Sequence, residues 1–206
     1  MLITIDWVKE KRACESDMEY FLEHWPEGAE YQTILDQLAQ DNEAGYADWL
    51  MENAGRTDAV LEVEGDLKVE GNLFFAGRIV VKGFLSVGLR IKAGSDIKAG
   101  EGIEAGWDIK AGWGIEAGWG IKAGEGIEAG SGIEAGSDIK AGSDIKAGSG
   151  IKAGSGIKAG EDFGIYAGLR LRISLKAKYA LVVAREMPKN LLLGTFRALE
   201  GEEKSC

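Results

Sequence analysis

The residues that could do chemistry in this chain are few and far apart. His24 is the only histidine among 206 residues, and the two cysteines, Cys14 and Cys206, lie near opposite ends. No Ser/His/Asp or Cys/His set for nucleophilic catalysis can be assembled from them. His24 with Cys14 is a thin hint of a metal pair and reads better as structural. Asp96, Asp108, Asp138 and Asp144 each precede an isoleucine of a repeat, but one Asp per unit is not the calcium nonapeptide pattern, and no bound ion is expected. No Gly-x-x-x-x-Gly-Lys-Ser/Thr run offers a phosphate cradle, and the repeats lack the threonine of an ice-binding face. The expectation is a non-enzyme with no catalytic residue, no metal and no cofactor.

Three aromatic residues stand out instead. Trp107, Trp113 and Trp119 are spaced by sixes, at a position that elsewhere in the same tract is mostly Ser or Glu. Those residues suit a wet corner, so the tryptophans should also face outward, and exposed aromatic clusters mark contact sites. With the corner acids Glu101 and Glu125 they form the candidate partner-binding set. The competing reading is that the indoles pack over corners of adjacent coils or against the chain's own tail.

What positions them is a repeat. From Leu61 through Leu67, Leu73, Ile79, Leu85 and Ile91 to Ile157, an apolar residue recurs every six positions. In the unit Ile97-Lys98-Ala99-Gly100-Glu101-Gly102, Ile and Ala alternate with Lys as in a short strand with one inward face. Gly100 and Gly102 are expected to supply a corner through positive φ. Helix is the poorer reading, because glycine at every sixth position or oftener is costly in a helix and a period of six does not match 3.6. The fold class is therefore mainly β: a parallel β-solenoid flanked by a small α-helical N-terminal domain and a short β-rich C-terminal cap.

Two coil sizes compete. Three units per turn make the outward pairs Lys98/Glu116, Glu104/Lys122, Lys110/Glu128, Glu128/Lys146 and Glu134/Lys152 complementary. Two units per turn would stack Glu104/Glu116/Glu128 and Lys98/Lys110/Lys122 like on like. Three per turn fits better.

The divisions fall at 1–57, 58–162 and 163–206. In the first, Ser16-Asp17-Met18-Glu19 fits a capping box before a helix that Pro26 ends. Tyr31, Ile34, Leu35 and Leu38 mark a second helix, and Tyr46, Trp49, Leu50 and Asn53 a third, stopped by Gly55. With almost no linker, this domain should cap the front of the solenoid. In the last division, Leu169 to Lys178 alternates strictly and predicts a strand; Pro188-Lys189-Asn190 predicts a turn.

Charge is unevenly placed. Residues 1–60 carry four Lys/Arg against fourteen Asp/Glu, while residues 163–206 carry eight Lys/Arg against four Glu. The basic tail is read as protection of a sheet edge rather than as a nucleic-acid patch. Two cysteines make no disulfide framework. The start lacks the basic patch and apolar run of a signal peptide, and no apolar run reaches the length of a membrane span. A cytoplasmic protein with no membrane contact and no direct nucleic-acid contact is expected.

The stretch Val63-Glu64-Gly65-Asp66-Leu67-Lys68-Val69-Glu70-Gly71-Asn72-Leu73 resembles the bactofilin-like, polymer-forming hexapeptide-repeat β-helix proteins. Ala13-Cys14 to Tyr20-Phe21, Trp25-Pro26-Glu27-Gly28-Ala29 and Trp49-Leu50 resemble a helical module found before repeats in phage proteins. The missing catalytic set, a rigid rod with an acidic end and the ring of tryptophans, together with these resemblances, leave two kinds of partner expected. One is a host protein complex, with the chain as a phage-encoded, anti-CRISPR-like inhibitor that mimics nucleic acid. The other is the chain itself, as a homodimer or a self-assembling scaffold. A carbohydrate-binding module using the tryptophans is a third expectation.

Overall fold

A computed structural model describes residues 1–199. Cys206 lies outside the described residues. From Val60 onward the chain winds into a parallel β-solenoid. Its described strands form three sheets of eight, six and seven strands. Ile97 pairs with Ile115, Ile103 with Ile121 and Ile109 with Ile127, so one turn is three units, as the charge pattern predicts. Ile and Ala fill the interior, and almost all from Ile79 to Ala167 are buried. Backbone groups bond from coil to coil: the Ile97 N–H donates to the Gly114 carbonyl at 3.0 Å, and the Gly100 N–H to the Val81 carbonyl at 2.9 Å.

Three of the five expected outward pairs close. Lys98 meets Glu116 at 2.7 Å, Lys122 meets Glu104 at 2.6 Å and Lys152 meets Glu134 at 2.6 Å. Lys146 turns instead to Asp144, the last residue of the preceding unit, at 2.7 Å. Like charges also stack, as at Glu116 beside Glu134 and Lys122 beside Lys140. Exposed pairs of this kind contribute about 0.2–1 kcal/mol each, so the apolar ladder sets the register.

The repeat glycines correct the expectation of positive φ. Neither Gly100 nor Gly102 has it; among the described residues the positive-φ glycines are Gly28, Gly55, Gly168 and Gly194. The reason for glycine in the fourth place of the unit is close approach. A Cβ on Gly100 would sit 2.0 Å from the Lys82 carbonyl oxygen, and one on Gly118 would sit 2.0 Å from that of Gly100. The coils stack backbone on backbone at this corner, and only hydrogen fits between them.

In front of the solenoid stand four helices: α1 (Ile5–Glu10), α2 (Glu15–His24), α3 (Tyr31–Gln40) and α4 (Ala44–Ala54). The last three answer to the predicted ones. The α2 N-cap is Cys14 rather than Ser16, and it has no side-chain cap bond. Helix α1 and a short antiparallel pair, β1 (Leu2–Ile3) with β2 (Ala29–Glu30), were not legible in the sequence. Thr4 caps α1 by accepting from the Trp7 N–H at 3.3 Å.

The domain reaches the front edge of the solenoid only at residues 74–76 and does not close the whole end. It packs on the flank. The first coil consists of β3 (Val60–Val63), β4 (Leu67–Val69) and β5 (Leu73–Phe75), and Phe74, which points outward from β5, is buried in the helical core with Ala76. Gln32 of α3 donates to the Phe74 carbonyl at 2.9 Å and accepts from the Ala76 N–H at 3.0 Å. The inward residues of the first coil, Leu61, Val63, Leu67, Val69, Leu73 and Phe75, therefore stay only partly buried. Each of β3, β4 and β5 is the end strand of its sheet.

At the far end the strands Leu181–Ala184, Leu191–Leu193 and Thr195–Ala198 extend two of the sheets. Asn190 fastens the intervening turn, donating to the carbonyls of Gly160 and Phe163 at 2.7 and 2.9 Å. The predicted strand over Leu169 to Lys178 is not formed. Residues 173–179 are a short helix, α5 (Ile173–Tyr179), in an excursion from the coil, and none of its side chains is buried. Among the described residues the segment pairs with no strand.

Candidate functional site

The three tryptophans occupy the three corners of one turn. The Trp107 carbonyl accepts from the Glu125 N–H at 3.1 Å, and the Trp119 N–H donates to the Glu101 carbonyl at 2.9 Å. Glu125 therefore sits one coil from Trp107 on its corner, and Glu101 one coil from Trp119 on another. Trp113 holds the third corner, its N–H on the Ser95 carbonyl at 3.2 Å. All three indoles are exposed, Trp119 most, at 60%. They point in three directions around the rod, so one flat partner cannot touch all of them, and they offer no aligned platform for a glycan.

Two indoles are partly occupied within the chain. The Arg56 guanidinium lies 3.7 Å from the centroid of the Trp113 ring, and that of Arg90 lies 4.9 Å from Trp107. Such contacts contribute about 0.5–1 kcal/mol at exposed sites. Trp113 also walls a groove of about 400 Å³ between α4 and the solenoid, whose charged lining includes Arg56, Lys92, Lys110, Glu128 and Arg170. Lys92 is already paired with Asp48 of α4. The groove brings together three parts of the chain that are distant in sequence, and nothing in residue spacing announced it.

The remaining candidates are engaged elsewhere. Cys14 and His24 stand at opposite ends of α2, about 15 Å apart at a rise of 1.5 Å per residue, and do not form a pair. His24 stacks on Tyr20 with ring centroids 4.0 Å apart. The Tyr20 hydroxyl donates to Asp41. That bond, and then one from Gln37, hold the Asp41 carboxyl below the usual carboxylate range, while burial pushes the Tyr20 phenol up. The cluster ties α2 to the end of α3. The repeat aspartates accept backbone N–H bonds from the next coil. Among the described residues no group of three or more His, Cys, Asp or Glu is placed to hold a metal ion, and no helix is long and apolar enough to cross a membrane.

No curated protein and no solved structure matches the chain. Residues 1–57 match the family model described as the YdhT N-terminal domain, and α1 to α4, packed on the flank of a β-solenoid, fall within that stretch.

Proposed function

We propose that this protein is a non-catalytic rod that associates with copies of itself through the open front of its solenoid. The half-exposed first coil carries the reading. Solenoids need capped ends to stay soluble, and here Leu61, Leu67 and Leu73 continue the core ladder to an end where, among the described residues, no strand pairs with β3 or β4 and only the edge of β5 is held, by Gln32 and Thr57. The resemblance of residues 63–73 to bactofilin-like proteins supports the same reading. Sedimentation velocity of the purified chain over a range of concentrations tests it, with electron microscopy of the products. Association that grows with concentration and is lost in Leu67→Lys supports the proposal; a monomer at every concentration removes it.

A second reading is a phage-type inhibitor of a host nucleic-acid-handling complex. One observation favours it: Glu15, Glu19 and Glu23 form an exposed stripe along α2, spaced by about 6 Å at 1.5 Å per residue. Such a stripe in an acidic domain can occupy a basic groove. Capture from a host lysate, weakened by salt and lost when the three glutamates become glutamines, tests it; equal capture by the glutamine variant removes it.

A further inference from the structure

We infer that the open first coil of one copy is covered by residues 171–179 of a second copy, which leave their helix and add to the coil as a strand. This rests on the end-to-end reading above.

The segment is in conflict with its own conformation. Leu171, Ile173, Leu175, Ala177 and Tyr179 would share one face of a strand but scatter around a helix. As α5 none of residues 173–179 is buried, and Ile173 is 89% exposed. A helix of seven residues is too short to be held by its own hydrogen bonds. Among the described residues, no backbone hydrogen bond ties 172–179 to the solenoid, whereas the Arg170 N–H is held by the Gly148 carbonyl and Ala180 is buried. The segment is thus a tethered strap that can change shape without unravelling a coil.

The open coil supplies what the segment lacks. β3 and β4 each present an unpaired strand edge over apolar side chains, whereas the edge of β5 is already bonded by Gln32 and Thr57; a free edge is the arrangement that accepts an added strand. Nine extended residues span about 30 Å, enough to follow two units of the coil. The charges match. The first coil and its approach hold Asp58, Glu62, Glu64, Asp66 and Glu70 against Lys68 in residues 58–75, whereas residues 171–179 hold Arg172, Lys176 and Lys178 and no acid.

The test uses two full-length variants. Leu67→Lys blocks the coil, and the double variant Ile173→Asp, Leu175→Asp blocks the segment. Leu61→Lys replaces the first if its melting curve departs from wild type; the second alters only exposed side chains. Wild type should lengthen with concentration, while each variant alone stays monomeric. An equimolar mixture should form a 1:1 dimer, since each variant retains the half that the other has lost. Amides of 171–179 should gain at least tenfold protection from hydrogen exchange on association. Wild-type assembly by the double variant overturns the inference and leaves the end-to-end reading standing. Two monomeric variants that give no dimer when mixed also overturn it. A monomeric wild type overturns both readings, and its capture by anionic phospholipid vesicles, lost in the double variant, would assign the segment to a membrane surface instead.

Discussion

The Oδ1 of Asp138 accepts a hydrogen bond of 2.9 Å from the backbone N–H of Gly156, one full turn further along the solenoid. The same relation joins Asp96 to Gly114 and Asp108 to Gly126, both at 3.0 Å, and Asp144 to Gly164 at 2.8 Å. Each of these repeat aspartates is a rung between coils. Asp138→Ala gives the Gly156 N–H back to water and frees Lys140. Denaturant melting should show a loss of about 1 kcal/mol, with a smaller loss in Asp138→Asn, which keeps an acceptor.

These rungs set an acid dependence. Lys146, and then the Gly164 N–H, hold the Asp144 carboxyl below its usual range; Lys140 first, with help from Gly156, does the same for Asp138. A carboxyl with a lowered folded pKa binds fewer protons folded than unfolded, so stability rises with pH through this window. The contribution is fully present well above the ordinary carboxylate value, about 3.9, and is lost as the pH falls below it toward the lowered values. Thermal melts from pH 6 to pH 2 should decline more shallowly over the acid limb for the variant carrying Asp138→Asn and Asp144→Asn than for wild type.

Glycines in different places of the unit should respond differently to alanine. In Gly118→Ala the new methyl meets the Gly100 carbonyl oxygen at 2.0 Å, and the coils must separate. In Gly120→Ala the nearest atom is the Asp138 carbonyl oxygen at 3.3 Å. Overpacking against backbone predicts a loss of about 3 kcal/mol or more for the first and under about 1 kcal/mol for the second. Equal effects in chemical denaturation would contradict close approach as the reason for the fourth-place glycine.

Trp113 and Arg56 should be energetically coupled, and Trp119 should not matter to folding. A double-mutant cycle with Trp113→Ala and Arg56→Ala is expected to return about 0.5–1 kcal/mol. Trp119→Ala removes an exposed ring and should leave the melting curve within about 0.5 kcal/mol of wild type.

Phe74 joins the helical domain to the rod through the outer face of β5. Phe74→Asp places a charge in that core and should release the domain. Calorimetry should then resolve two unfolding transitions in place of the wild-type profile, with the solenoid transition the less affected of the two.

Some of this was written in the residue pattern. The sixfold apolar spacing determined the parallel coil, because a period of six with inward Ile and Ala has one way to bury its ladder. The charges following each isoleucine pointed to three units per turn, because that count alone paired Lys98 with Glu116 and Glu104 with Lys122. Three helices of the front domain were legible from Tyr31, Ile34, Leu35 and Leu38 and from the stop at Gly55. The tryptophans could be read as outward because Ser and Glu share their position. The link from each repeat Asp to a glycine one turn later is also present in the sequence, at Asp96/Gly114 and Asp108/Gly126, but a glycine after a glycine-containing corner carries no mark of the N–H it donates.

Only the tertiary structure decided where the front domain sits. Its core residues show that it buries an apolar face, but not that Phe74 of β5 completes that face and leaves Leu61, Leu67 and Leu73 uncovered at the end. It alone brought Arg56 onto Trp113, 57 positions away in sequence, because proximity across coils follows from winding rather than from spacing. It also overruled the alternation of residues 169–178. A strand is completed by the edge it pairs with, and among the described residues that segment pairs with none.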